Sequence, residues 1–247
     1  MNDTSEIELT SSQSIPLAIY CFFVTFSGIT GNGLVLYSSL RYDAIKMDRV
    51  SLEFVRNLAL ADILYTIFIV LPQFVTFTAR SWVLGPVYCI LQADIGMVAG
   101  SLNTLTVFAI SAYRLKLVIS PFHQISLLTT RILIGVIWLL ALSPIVLVLI
   151  YREGAHFDPY IAKCLNDIYD NDNARLPFMV LVGIIVFIPL FGIIGINFVL
   201  LAVALRLNNR GSGPSRKINF KALLVILALS GLFMVSLNYV CTKKQKF

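Results

Sequence analysis

Charge is what this sequence has least of. Only 13% of its 247 residues are Asp, Glu, Lys or Arg, against 58% hydrophobic, and the mean hydropathy is +0.85. A soluble domain carries about 25% charged residues, so a water-soluble enzyme of this length does not fit. Glycine and proline, at 14 and 9 residues, show no bias toward a linker or a collagen-like repeat. The apolar content is equally incompatible with intrinsic disorder. There are two histidines, His123 and His156, in loops on opposite faces, and no HExxH, GxSxG, GxGD or P-loop pattern, so neither catalysis nor a metal site is expected. Four cysteines do not make a disulfide framework, although two can meet on the oxidising side of a membrane. The net charge of +6 sits in loops rather than on the basic face of a soluble module, which removes a nucleic-acid partner.

What the chain does have is long apolar runs, at about 17–40, 52–78, 86–118, 130–151, 176–205 and 220–241. A membrane helix needs about 20 apolar residues, so each run is long enough to cross, and 17–241 is expected to form an all-α transmembrane bundle of six helices. Residues 1–16 are polar, with Asp3, Glu6 and Glu8 and no Lys or Arg. They lack the basic n-region of a signal peptide and read as an amino-terminal tail carrying a glycosylation sequon at Asn2.

Lys and Arg in short loops set orientation. One parity of loops holds Arg41, Lys46 and Arg49, then Arg114, Lys116 and Arg131, then Arg206, Arg210, Arg216, Lys217 and Lys221. That side is expected to be cytoplasmic, and the amino terminus extracellular. The tail at 242–247, with three lysines, then falls outside against the rule; the expectation is a missing seventh span or a sixth that is not stably inserted. No internal repeat is visible, which argues against transporters built from duplicated halves.

An ionisable residue at mid-bilayer costs roughly 2.5 to 3.5 kcal/mol, so each one needs a reason. Asp62 lies near the middle of the second run, and Asn32 and Asn103 stand at similar depth in the first and third. Together they can form a hydrated pocket for a cation, with Asp62 as an ion or proton site, or act as interhelical glue worth about 0.6 kcal/mol per contact. Asp94, two turns into the third run, is a candidate for a ligand, an ion, or a basic loop residue such as Lys163 or Arg175; Met97 joins it as a candidate ligand contact. Twenty-five residues separate Cys89 from Arg114, a helical rise of about 37 Å, which puts the cysteine at one rim and the arginine at the other. Cys164, in the long loop after the fourth run, is the expected disulfide partner of Cys89, a free thiol being the alternative. Cys21 and Cys241 read as buried, unpaired small hydrophobes.

These residues resemble the rhodopsin-like, or class A, family of G-protein-coupled receptors over about 20–235. Gly31-Asn32-Gly33-Leu34-Val35 is similar to the family's first-helix motif, and Asn57-Leu58-Ala59-Leu60-Ala61-Asp62 to its second. Trp82-Val83-Leu84-Gly85 before Cys89, then Trp138 and Pro144, Cys164, Pro189 and Phe233 follow in the family's order, Pro189 and Phe233 as switch positions of helices five and six. The departures concern signalling. Tyr113-Arg114-Leu115 stands where the family has Asp-Arg-Tyr, which keeps the arginine but drops its acidic restraint. Asn197 replaces a supporting tyrosine of helix five, and Ser236-Leu237-Asn238-Tyr239 replaces the helix-six CWxP. The position 18 residues before Arg114, an aspartate in amine receptors, is Gly96, which disfavours a biogenic amine.

The resemblance implies a multi-pass receptor of the plasma membrane that binds an unknown extracellular ligand. It would relay to a heterotrimeric G protein through Tyr113, Arg114 and Leu115, without a cofactor beyond the possible sodium ion. An alternative is a truncated, non-signalling partner in a receptor oligomer, or a fragment of a longer receptor. A six-span cation transporter or channel using Asp62 and Asp94 explains the motifs least well.

Overall fold

The computed structural model describes residues 10–41, 48–120, 125–151, 153–159 and 161–209. The sixth apolar run, Phe233, Ser236 to Tyr239, Asn2 and the basic tail lie outside the described residues. Helices α1 (Ser11–Arg41), α2 (Arg49–Tyr65), α3 (Leu71–Ala79), α4 (Gly85–Ile119), α5 (Leu127–Tyr151), α6 (Asp172–Val182) and α7 (Ile188–Asn209) follow in chain order. Among these residues five helical stretches are long and apolar enough to cross a membrane, at Ser11–Arg41, Arg49–Ala79, Gly85–Ile119, Leu127–Tyr151 and Asp172–Val203. They cover the first five expected spans.

Two of the five are interrupted. A π turn at Thr66–Val70 joins α2 to α3, and another at Gly183–Phe187 joins α6 to α7. Each ends two residues before a proline, Pro72 or Pro189. A proline ring donates no N–H and collides with the carbonyl four residues earlier, so the preceding turn widens to keep the helix going. Polar residues set several helix starts. Asp48 caps α2 by accepting from the Ser51 backbone N–H at 2.8 Å and its hydroxyl at 2.7 Å. Asn171 caps α6 by accepting from Asn173 and Ala174, which satisfies donors that a bare helix end leaves orphaned.

The segment between α5 and α6 departs from the all-helical expectation. It folds as an antiparallel hairpin of β1 (Ala155–Asp158) and β2 (Lys163–Asn166), with Phe157 opposite Cys164 and Asp158 opposite Lys163. Described residues within 1–110 and 125–189 form one compact unit, and those within 111–124 and 190–247 a second. In the first unit the central cluster comprises Ala61, Val98, Leu102, Leu105, Ile137, Ala141 and Ile185, with Trp138 packed against it. α1 approaches the second span closely where Gly28 faces Thr66: a Cβ there would stand 2.7 Å from the threonine hydroxyl oxygen. In the second unit Leu200 packs with Leu115, Ile196 and Leu201.

Candidate functional site

The first unit carries its polar groups at three levels along α4. At the hairpin level Cys89 and Cys164 are disulfide-bonded, with Cα atoms 5.3 Å apart. The expected bridge is therefore present. Trp82 stacks on Phe157, ring centroids 5.4 Å apart, and Gln92 Oε1 accepts the Cys164 backbone N–H at 2.8 Å. The hairpin is thus held on α4 by a covalent bond, an aromatic contact and a buried hydrogen bond. Strand side chains alternate, so Asn166 shares the face of Cys164 and meets the Asp94 side chain. Arg175, expected as a partner for Asp94, pairs instead with Asp172 at 3.4 Å on its own helix. Met97 packs against the Val148, Ile168, Ala174 and Phe178 cluster. Gln92 Nε2, Asp94 Oδ1 and Asn166 Oδ1 are buried without a hydrogen-bond partner among the described residues.

At the middle level the Asp62 carboxylate and the Asn103 amide interact. Asn103 Oδ1 remains buried and unpartnered among the described residues. Asn32, the third expected member, donates from Nδ2 to the Gly28 carbonyl of its own helix at 3.0 Å. The acid and one amide are therefore brought together, and no contact joins the other amide to them among the described residues.

At the third level stands a network that sequence reading did not single out. Asn57 Nδ2 donates to the Thr106 hydroxyl at 2.7 Å, and Asn57 Oδ1 accepts from the Trp138 indole N–H at 2.9 Å. One side chain thereby links α2, α4 and α5. The signal was available, since an amide in the middle of an apolar helix must find partners inside the bundle.

In the second unit Tyr113 is buried, Arg114 is exposed, and Leu115 belongs to the Leu200 cluster. Asn197 is buried with its Nδ2 unpartnered among the described residues. Pro189 is buried two residues after the end of the second π turn.

Two other features lie elsewhere in the first unit. A groove of about 560 Å³ between α1 and α3 is lined by Phe22, Phe23, Phe74 and Phe77, with Arg80 at its edge. On the hairpin and the turn after it, ligand-type atoms of His156, Asp167 and Asp170 lie within 4.8 Å of one another, His156 and Asp170 exposed and Asp167 half-buried.

Comparison with known proteins joins these observations to a family. The chain is 31% identical over 116 residues to the substance-K receptor of Mus musculus, covering 47% of this chain and 30% of that protein. It is 27% identical over 202 residues to the long-wavelength rhodopsin of Apis mellifera, covering 80% of this chain and 53% of that one. The crystal structure of squid rhodopsin superposes with a TM-score of 0.68 at 17% identity, over 92% of this chain and 68% of that chain, a likeness of fold. The chain thus spans about a third to a half of the length of the curated relatives named here, which are receptors rather than enzymes. Residues 31–242 match the family described as 7 transmembrane receptor (rhodopsin family), and the chain, a membrane helix bundle of G-protein-coupled receptor type, belongs to that family.

Proposed function

We propose that the chain acts as a receptor: an extracellular ligand binds at the disulfide end of the bundle, and Arg114 with Tyr113 and Leu115 engages a heterotrimeric G protein from the cytoplasm. The observation that carries this reading is α4 itself. One uninterrupted helix bears the hairpin-covered polar level near its first residues and the exposed Arg114 near its last. The charge bias of the loops supports an extracellular amino terminus, and the plasma membrane is then the site of action. Because tyrosine stands where an acid would restrain Arg114, ligand-free signalling is expected. The test is guanine-nucleotide exchange in membranes expressing the full chain. Arg114→Ala abolishes exchange and Tyr113→Asp lowers it; exchange that is absent in the wild type, or unchanged by Arg114→Ala, overturns the reading.

A sodium ion fits the residues around Asp62. The Asp62 carboxylate and the unpartnered Asn103 Oδ1 offer oxygen ligands of the kind a hard cation takes. When bound, the ion would supply a compensating positive charge, holding Asp62 ionised in the bundle. Sodium chloride is expected to raise the unfolding temperature more than choline chloride at equal ionic strength, and Asp62→Asn removes that difference.

A further inference from the structure

The basic side chain nearest the disulfide, Lys163, turns toward α4 rather than out into solvent. Its Cε comes within 3.9 Å of where a Cβ of Gly96 would stand. Gly96 lies seven residues beyond Cys89 along α4, a rise of about 10 Å. The lysine stem therefore runs from the hairpin along the helix toward the interior of the bundle. Its backbone has little freedom to move away. The next residue is tied covalently to Cys89 and hydrogen-bonded to Gln92, and Lys163 itself pairs with Asp158 across the hairpin.

No carboxylate among the described residues forms an ion pair with this ammonium. Asp94, the acid nearest Gly96 in sequence, is engaged by Asn166. Other acids of the loop have partners of their own: Asp158, opposite Lys163, accepts from the Ile161 N–H at 3.4 Å, Asp167 pairs with His156 at 2.6 Å, Asp172 with Arg175, and Glu153 with Asn171. Burial pushes the Lys163 ammonium below the usual lysine range, as expected of a charge without a counterion. A second donor stands four residues before Gly96 on α4. Gln92 is fully buried, and because its Oε1 accepts from Cys164, its Nε2 must point elsewhere, where it finds no acceptor. Neither donor, one of them cationic, meets an acceptor among the described residues, where the spare Asp94 Oδ1 and Asn166 Oδ1 bond to neither, so the pair calls for one. The missing side chain at Gly96 leaves a notch partly filled by Ile69, whose Cδ1 would stand 2.3 Å from a Cβ there, so the wall beside the ammonium is apolar.

We propose that Lys163 is the anchor for an anionic ligand, a carboxylate carried on an apolar body, seated against α4 at Gly96 with Gln92 Nε2 as a second donor. The inference rests on the reading of the disulfide end as the ligand site and specifies the chemical class that site takes. The loop acids Asp167, Asp172 and Glu153 are spent on local partners, and the charge turned toward α4 is positive.

The test reads binding rather than signalling, so it is independent of G-protein coupling. The full chain in nanodiscs is heated with hexanoate, with hexanamide as its neutral counterpart, and with hexylammonium as its charge-reversed one. Hexanoate should raise the unfolding temperature saturably, and the other two should act at least about tenfold more weakly, a difference of about 1.4 kcal/mol. Lys163→Met should abolish the hexanoate response and raise the unfolding temperature in anion-poor buffer, because an unpaired buried charge has been removed. Lys163→Arg should keep the response. Equal responses to hexanoate and hexanamide, a hexylammonium response that depends on Asp94, or no saturable hexanoate response in the wild type would each overturn the proposal. So would an unaltered response in a folded Lys163→Met protein. The comparison of the three probes on the wild type holds even where that variant does not fold.

Discussion

Two polar clusters in the same unit, one around Asn57 and one around Gln92, Asp94 and Asn166, differ in how completely they close. Asn57 donates to Thr106 and accepts from Trp138, so both ends of its amide are bonded to other helices. At the hairpin level each side chain makes one contact and leaves one atom over among the described residues: Nε2 of Gln92, Oδ1 of Asp94 and Oδ1 of Asn166. A closed network fixes helices relative to one another. An open one leaves binding capacity unspent, and a buried polar atom left over costs about 1 to 3 kcal/mol until something satisfies it. On the proposed reading, the difference separates polar residues that build the bundle from those that would meet a ligand, although both look alike in sequence.

The comparison can be broken or sharpened by mutation. The largest effect is expected at the disulfide, because the open cluster exists only while the hairpin lies on α4. Cys89→Ser or Cys164→Ser should cost about 2 to 5 kcal/mol, seen as a collapse of folded yield and a lower unfolding midpoint in detergent. Wild-type midpoints for both variants would mean that Gln92 and the Trp82–Phe157 stack suffice. Next comes Asn57→Leu, which strands the Trp138 N–H and a buried hydroxyl; about 2 to 4 kcal/mol is expected in the same assay. Gly28→Ala should cost about 1 to 3 kcal/mol by overpacking against Thr66, and Thr66→Ala in the same chain should recover much of it. Smallest is Asn103→Ala, at under about 1 kcal/mol, with its effect concentrated on sodium sensitivity. Should Asn103→Ala prove as damaging as Asn57→Leu, the distinction between closed and open clusters fails.

Much of this was legible before any coordinates. Five apolar runs appear as helices, and Asp62 meets Asn103 as its depth implied. Cys89 meets Cys164 because a helix rise and a loop position fix their level. Helix ends were less legible. α1 begins at Ser11 rather than near residue 17, because hydropathy marks where a chain is apolar, whereas a helix can run on into polar residues such as Ser11, Ser12 and Gln13. The hairpin was not read at all: four-residue strands carry too little alternation to stand out, and their pairing depends on a covalent tether distant in sequence. Once β2 is known, however, the partner of Asp94 follows from strand period alone, because Asn166 lies two residues after Cys164. Asn32 misled for a different reason. A polar side chain in a membrane helix can satisfy its amide on the carbonyl one turn back, and sequence position does not distinguish that outcome from a contact across helices.

The π turn at Thr66–Val70 has a consequence for how this chain tolerates insertion and deletion. A π turn holds about one more residue than an α turn of similar rise, and each residue advances a helix by about 100°. Everything after Val70 is therefore out of phase with a helical wheel drawn from α2. Removing a single residue from the turn would straighten the local geometry yet rotate α3 by roughly a quarter of a circle. Phe77 would swing away from the cluster it shares with Cys21, Val70 and Ala162. In this span the number of residues is as much a part of the folding instruction as their identity, and a deletion of the mildest side chain would do more harm than most substitutions.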